Sequence, residues 1–375
     1  MRMPKLRRQK KRRTKIDPFD LDHTLLYFSS DKRDRWTVRD ACEGTQVFGA
    51  TGSGKTSGSG RAIAHAFLRN GYGGLVLTAK PDEADLWRSY CEECGREDDL
   101  IVMQPGGRWK TNILDYEFSR CDQGGRGRGL ADNIASLFST VLELGRPGKS
   151  QSNSDPFWTD AVHDLVANAV ELLGLAQVLM KLLWQRSAER RAASSVEESV
   201  RPVFLWADEA HNFVTPGDVM FQTTARSARA CTVYLTQNIS NYLDALGGVN
   251  AQAQTDALLG SLNTKLFHAN SDPATNRWAA ELFAQSHRFR MSTNMGQTDP
   301  SDPTGSGNAT HNHGSGLTEQ LEYEVPPATF KTLAMGGPDH NYMVEAIAFR
   351  TGRIWKATGT TDIRIVFSQQ QRGKK

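Results

Sequence analysis

Residues 49–56 read Gly49-Ala50-Thr51-Gly52-Ser53-Gly54-Lys55-Thr56, a spacing that suits one chemistry above others, the cradling of a polyphosphate. The glycines let the backbone turn tightly, so that successive N–H groups and the N-terminus of a following helix point at negative oxygens. Lys55 reaches the β- and γ-phosphates in such a loop, and the Thr56 hydroxyl serves a Mg²⁺ that bridges them. The expected ligands are ATP and Mg²⁺.

The competing reading of a Gly/Ser string is a flexible linker, and the chain has 33 glycines to make one. Against it, Thr45-Gln46-Val47-Phe48 runs apolar straight into Gly49, and Ile63, Ala64, Ala66, Phe67 and Leu68 fall at helical spacing behind the loop. Strand, loop and helix is the context the motif requires.

A second constellation is Val203-Phe204-Leu205-Trp206-Ala207-Asp208-Glu209, an apolar run ending in two acids. At the carboxyl end of a parallel strand Asp208 would hold Mg²⁺ through water and Glu209 would polarise the attacking water. Acids are also common at helix starts for electrostatic reasons alone. Another strand-like run ends at Gln237, where a sensor of the γ-phosphate belongs. Between them Ala225-Arg226-Ser227-Ala228-Arg229 offers a guanidinium for a neighbouring subunit's γ-phosphate, Arg226 ahead of Arg229; the alternative is an exposed helix arginine with a solvated head.

The elements that must position these groups are short apolar runs without alternation: Gly74 to Thr78, Leu100 to Met103, Pro202 to Ala207, Thr232 to Thr236 and Lys265 to His268. Such runs, separated by helical patterns, predict strands buried on both faces of a mostly parallel, doubly wound α/β sheet. Residues 116–199 break the rhythm as a helical insertion, with Leu130 to Leu144 and Asp160 to Trp184 helical, a Gly/Pro/Ser/Asn loop at 145–155 and a charged end at 187–199. Tyr342 to Phe349 and Arg353 to Phe367 read as closing strands, and Met291 to Gly316 as a long exposed loop that holds His311 and His313 in solvent. The division is therefore a basic tail at 1–16, a nucleotide-binding domain over 17–115 and 200–375, and the insertion between.

The net charge of +3 hides an asymmetry. Residues 1–16 carry nine basic groups and no acid, leaving 36 basic against 42 acidic groups in the rest. Such a tail suits DNA phosphates, an anionic membrane surface, or solubility alone. No secretory signal follows it, and Leu165 to Trp184 contains Asn168, Glu171, Gln177 and Lys181, which a bilayer centre penalises. The expected location is cytoplasmic, at most peripheral at the inner membrane through the tail. Five cysteines at 42, 91, 94, 121 and 231 form neither a disulfide framework nor a zinc set.

The residues together resemble a family, the type IV secretion coupling proteins or TraG/TraD-like conjugation ATPases, grouped with the FtsK and HerA motors. The resemblance spans roughly 44–357 and rests on the phosphate loop, Lys80-Pro81-Asp82-Glu83, Thr111-Asn112-Ile113-Leu114-Asp115, Asp155-Pro156-Phe157-Trp158, Asp208-Glu209, Arg226-Ser227, Thr236-Gln237-Asn238 and the run from Leu258 to Asp272. It implies a RecA-like core, a hexameric homo-oligomeric ring with ATP between subunits, Arg226 acting in trans, DNA in the central channel, and a secretion or DNA-transfer apparatus as partner. Other readings are a DEAH-box helicase, spelled by Asp208-Glu209-Ala210-His211; a small-molecule kinase; a nucleotide-gated DNA- or protein-binding adaptor; and a HerA/FtsK-like translocase unrelated to secretion.

Overall fold

The computed structural model describes residues 17–80, 82–104, 106–110, 176–191, 200–298 and 310–370. The basic tail, the helix expected over Leu130 to Leu144, the loop at 145–155 and the family-like segments at 111–115 and 155–158 lie outside these residues.

A seven-stranded sheet organises the molecule. Its strands are β3 (Thr45–Phe48), β4 (Gly73–Leu77), β5 (Val203–Ala207), β6 (Ala230–Thr236), β7 (Thr264–Phe267), β10 (Met343–Arg350) and β11 (Asp362–Ser368), in the order β11-β10-β7-β3-β6-β5-β4. From β7 to β4 neighbours run parallel, and β10 and β11 join antiparallel. Every residue of β3, β6 and β7 is buried, as continuous apolar runs require when helices cover both faces.

The strand alternation divides two cores. Phe204 and Trp206 point into one face with Val47, Ile63, Phe67 and Trp87, whereas Leu205 and Ala207 point into the other with Tyr242, Leu258, Phe267 and Phe330. The first face is closed by α1 (Val38–Cys42), α2 (Arg61–Arg69) and α3 (Glu83–Glu93). The second face is covered by α6 (Ile239–Leu246), α7 (Ala251–Ser261) and α8 (Pro273–Leu282), with α5 (Gly217–Ala225) beside them; α4, the helix over 176–191, belongs to the expected insertion. A small antiparallel pair, β1 (Thr24–Tyr27) and β2 (Arg35–Thr37), sits before α1.

Three expectations are corrected. Leu100 to Met103 is no strand: Ile101 and Met103 are each 55% exposed, so the run lacks the two covering layers that make a central strand. The supposed loop from Met291 to Gly316 is largely a ribbon, β8 (Gln285–Thr298) paired with β9 (Thr310–Tyr323), which places His311 and His313 in a strand. Its Ser, Thr, Asn and Gly content hid the strands, because a two-stranded ribbon buries no continuous apolar run. Finally, only Asp362–Ser368 of the 353–367 segment pairs with β10; turns occupy most of the stretch before it. Among the described residues no helix is long and apolar enough to cross a membrane.

Candidate functional site

Register makes the site. Phe48 lies level with Thr236 and Phe267, and Leu77 lies level with Ala207, so the loops after five parallel strands leave the sheet along one carboxyl edge. In an open parallel sheet that edge is where ligands bind.

Residues 49–56 form the first of these loops. Gly52 and Gly54 have φ of +76° and +80°, values that a side chain strains, and a Cβ on Gly54 would meet Val344 Cγ2 of β10 at 2.6 Å. Gly49 is equally constrained, since a Cβ there would lie 2.4 Å from Ser53 Oγ. The loop is pinned at both sides by Gly49 N–H donating to the Thr236 carbonyl (3.2 Å) and Ala50 N–H to that of Ala269 (2.9 Å). One π-type turn over Thr56–Gly60, closed by Gly60 N–H to the Lys55 carbonyl at 2.8 Å, leads into α2. Ser53 Oγ is buried and bonds to no group of the protein.

Asp208 and Glu209 leave β5 beside that loop. The Thr56 hydroxyl donates to Asp208 Oδ2 at 3.0 Å, joining the two residues expected to serve the metal. Lys55 Nζ lies 3.7 Å from Glu209 Oε1, and the Gln237 amide donates to the same oxygen at 3.3 Å. All of Lys55, Asp208 and Glu209 are buried. Glu209 holds a left-handed backbone, φ 50° and ψ 52°, a strained state for a glutamate and one often found where geometry serves chemistry.

Burial works against ionisation of Glu209, but Lys55, the Gln237 amide, Lys80 and His211 outweigh it and hold its carboxyl below the ordinary value. Its Oε2 accepts no hydrogen bond, although the atom is buried. A carboxylate that is charged, enclosed and open at one oxygen can accept a proton from water.

Three neighbours appear in the sequence reading only inside longer segments, with no role of their own. Lys80 Nζ lies 3.5 Å from Glu209 Oε1. His211 Nδ1 lies 3.9 Å from Glu209 Oε2 and 3.3 Å from the Thr236 hydroxyl; burial, opposed by Glu209, lowers its pKa. Glu83 is buried at the start of α3, and desolvation together with the charge of Asp208 raises its carboxyl to about 7. The usable signal was topological: Lys80 and Glu83 follow β4 on the edge that β5 shares.

Arg226 is not brought to this site within one chain. It ends α5 at the opposite edge of the sheet, 3.8 Å from Glu43, with its side chain 55% exposed. The intervening β6 of seven residues spans roughly 20 Å.

The donor set fits a nucleotide with Mg²⁺. Among the described residues no cluster of three His, Cys, Asp or Glu side chains makes a metal cage. One hydroxyl and one carboxylate side by side match instead the way Mg²⁺ is held when phosphates and water complete its shell.

A mostly parallel sheet with this loop between β3 and α2 defines an α/β fold of the RecA-like P-loop class. The structure of the bacterial conjugative coupling protein TrwBdeltaN70, unbound form, matches it with a TM-score of 0.52 at 16% identity, covering 94% of this chain and 90% of that one. TrwB with the ATP analogue ADPNP (TM-score 0.49, 16% identity, 89% of this chain and 87% of that one) and TrwB with ADP and Mg²⁺ (0.49, 15%, 90% and 88%) match as well. Residues 202–322 match the family described as the TraM recognition site of TraD and TraG. No curated protein matches the sequence.

Proposed function

We propose that the chain is an ATP-hydrolysing coupling motor for DNA transfer, acting as a homo-oligomeric ring. The observation that supports this most is the meeting of Lys55, Gln237 and Lys80 on one oxygen of a buried, strained Glu209, beside a hydroxyl–carboxylate pair. A small-molecule kinase needs a pocket for its acceptor more than a poised carboxylate, so activated water is favoured.

In this reading the backbone of 49–54 and Lys55 hold the triphosphate of ATP, and Thr56 and Asp208 hold Mg²⁺. The cation neutralises phosphate charge when bound. Glu209 takes a proton from the attacking water, and Gln237, bonded to Glu209, orients that water or reads the γ-phosphate. The phosphate draws Lys55 away from Glu209, which frees the carboxylate for water. Arg226, on the opposite edge, serves a neighbour's γ-phosphate across the ring interface, and DNA occupies the ring's channel. The basic tail contacts DNA or an anionic membrane surface.

The test is ATP hydrolysis and native mass, each with and without single- and double-stranded DNA. DNA-stimulated turnover that disappears in Lys55→Ala is expected. If no DNA elicits hydrolysis, the motor reading fails; a nucleotide-gated adaptor is favoured instead if Glu209→Gln leaves DNA transfer intact.

A further inference from the structure

Helix α4 carries Gln177, Lys181 and Gln185 at intervals of four, which places three long polar side chains on one face. That face is turned inward: Lys181 is fully buried, Gln185 is 5% exposed, and Gln177 is half-buried. A helix needing only to cover a core would put leucines there.

Gln177 and Lys181 each bond to a loop of the candidate site, and Gln185 shares the Asp218 carboxylate of α5 with Lys181. Gln177 Oε1 accepts from the Thr78 N–H at 3.0 Å and its Nε2 donates to the Thr78 carbonyl at 3.1 Å, as a neighbouring strand would. Thr78 stands two residues before Lys80. Lys181 Nζ donates to the Phe213 carbonyl at 2.6 Å and to Asp218 Oδ2 at 2.6 Å. Gln185 Nε2 donates to Asp218 Oδ1 at 2.7 Å. Phe213 ends the tight turn that begins at Glu209, closed by Asn212 N–H to the Glu209 carbonyl at 3.0 Å and Phe213 N–H to that of Ala210 at 2.9 Å.

We propose that the stripe Gln177–Lys181–Gln185 is a positioning device: it holds the loop of Lys80 and the turn of Glu209 in fixed relation, and so ties the insertion to the water-activating site. This rests on the hydrolytic reading above. Among the described residues β4 is the outermost strand of the sheet, so its exit at Thr78 has no further strand beside it, and Glu209 keeps a strained backbone that its surroundings must impose. Nothing in mere core filling calls for a fully buried lysine, which burial alone disfavours. Motion of α4 would move Lys80 and Glu209 together or apart, and a displacement near 1 Å at such a site changes rates by up to about a hundredfold.

Two variants of the full chain test it: Gln177→Met, at a half-buried position that leaves no buried charge, and the double variant Lys181→Met/Asp218→Asn. Turnover of ATP, KM, binding of a fluorescent ATP analogue, melting temperature and hydrogen exchange of 78–83 and 208–214 are measured in each. The expected result is kcat reduced roughly tenfold to a hundredfold, analogue affinity within about twofold, and faster exchange in both loops. Unchanged exchange in both loops, or a fall in kcat that merely follows melting temperature and is restored on cooling, overturns the positioning role. Wild-type chain without hydrolysis, alongside altered exchange in the variants, overturns the hydrolytic reading and leaves the mechanical link standing.

Discussion

Glu209 and Asp218 stand nine residues apart on one connection, both buried and both beside a lysine, yet they are bonded in opposite ways. Asp218 is fully engaged: Oδ2 accepts from Lys181, from the Thr215 N–H at 2.7 Å and from the Thr215 hydroxyl at 3.3 Å, and Oδ1 from Gln185 and the Tyr234 hydroxyl. Glu209 has contacts of 3.3 to 3.7 Å on one oxygen and no hydrogen bond on the other. A buried carboxylate with every lone pair used holds structure, whereas one left partly open retains capacity for a ligand. The difference separates the part of the connection that fixes the fold from the part suited to chemistry.

The largest expected effect tests the open member. In the hydrolytic reading Glu209→Gln removes the proposed proton acceptor but keeps the shape, and turnover should fall by about a hundredfold or more while the melting temperature holds. A loss of stability instead would place Glu209 with Asp218 as a structural group. Because Lys55, the Gln237 amide and Lys80 hold the carboxyl low in the free chain, the acid limb of kcat/KM should lie below the ordinary glutamate value, and Lys80→Ala should raise it.

Breaking the closed member should act on stability. Lys181→Met alone strands the Asp218 charge and should cost about 3–5 kcal/mol in denaturant unfolding. The double change with Asp218→Asn should recover much of that.

Glu83 extends the contrast to a third buried carboxyl. Its folded pKa of about 7 stands above the ordinary 4.5, so the fold prefers it protonated. Its contribution to stability is fullest below the ordinary value and is lost as pH rises from there to about 7. Glu83→Gln should therefore stabilise by up to about 3 kcal/mol at alkaline pH and hardly at all in mild acid, read from melting curves at both. Equal effects at the two pH values would remove desolvation as the cause.

The smallest stability change belongs to Arg226, whose exposed 3.8 Å pair with Glu43 suggests less than about 0.5 kcal/mol for Arg226→Ala. In the ring reading that variant nonetheless loses turnover and regains part of it when mixed with Lys55→Ala subunits.

How much of this was legible in sequence follows from how local each signal is. The phosphate loop was readable because its glycines, Lys55 and Thr56 are adjacent and its strand is a pure apolar run. Asp208, Glu209 and Gln237 were readable because a strand buried on both faces ends abruptly in polar groups. Lys80 and Glu83 carry no such mark; only the pairing of Leu77 with Ala207 sets them beside Glu209. Gln177 and Lys181 of α4 stand out as polar residues in an apolar run, which argues against membrane insertion; their partners lie some thirty to a hundred residues away, so the sequence carries no mark of the stripe they form with Gln185. Leu100 to Met103 misled in the other direction, because four apolar residues make a strand only when a neighbour and two layers receive them.

The contact of Gly54 with Val344 bears on when the molecule becomes competent. The phosphate loop is synthesised early, but the strand against which it packs is synthesised some 290 residues later, and the Ser59 hydroxyl meets the ring of His268 at 2.7 Å, again across a long separation. Contacts so distant in sequence form late and slowly. During synthesis the loop's exposed backbone amides have no finished cradle until β10 and β11 have paired, so a nascent chain should not retain nucleotide before then; the pairing of these strands, not the emergence of the motif, completes the cradle.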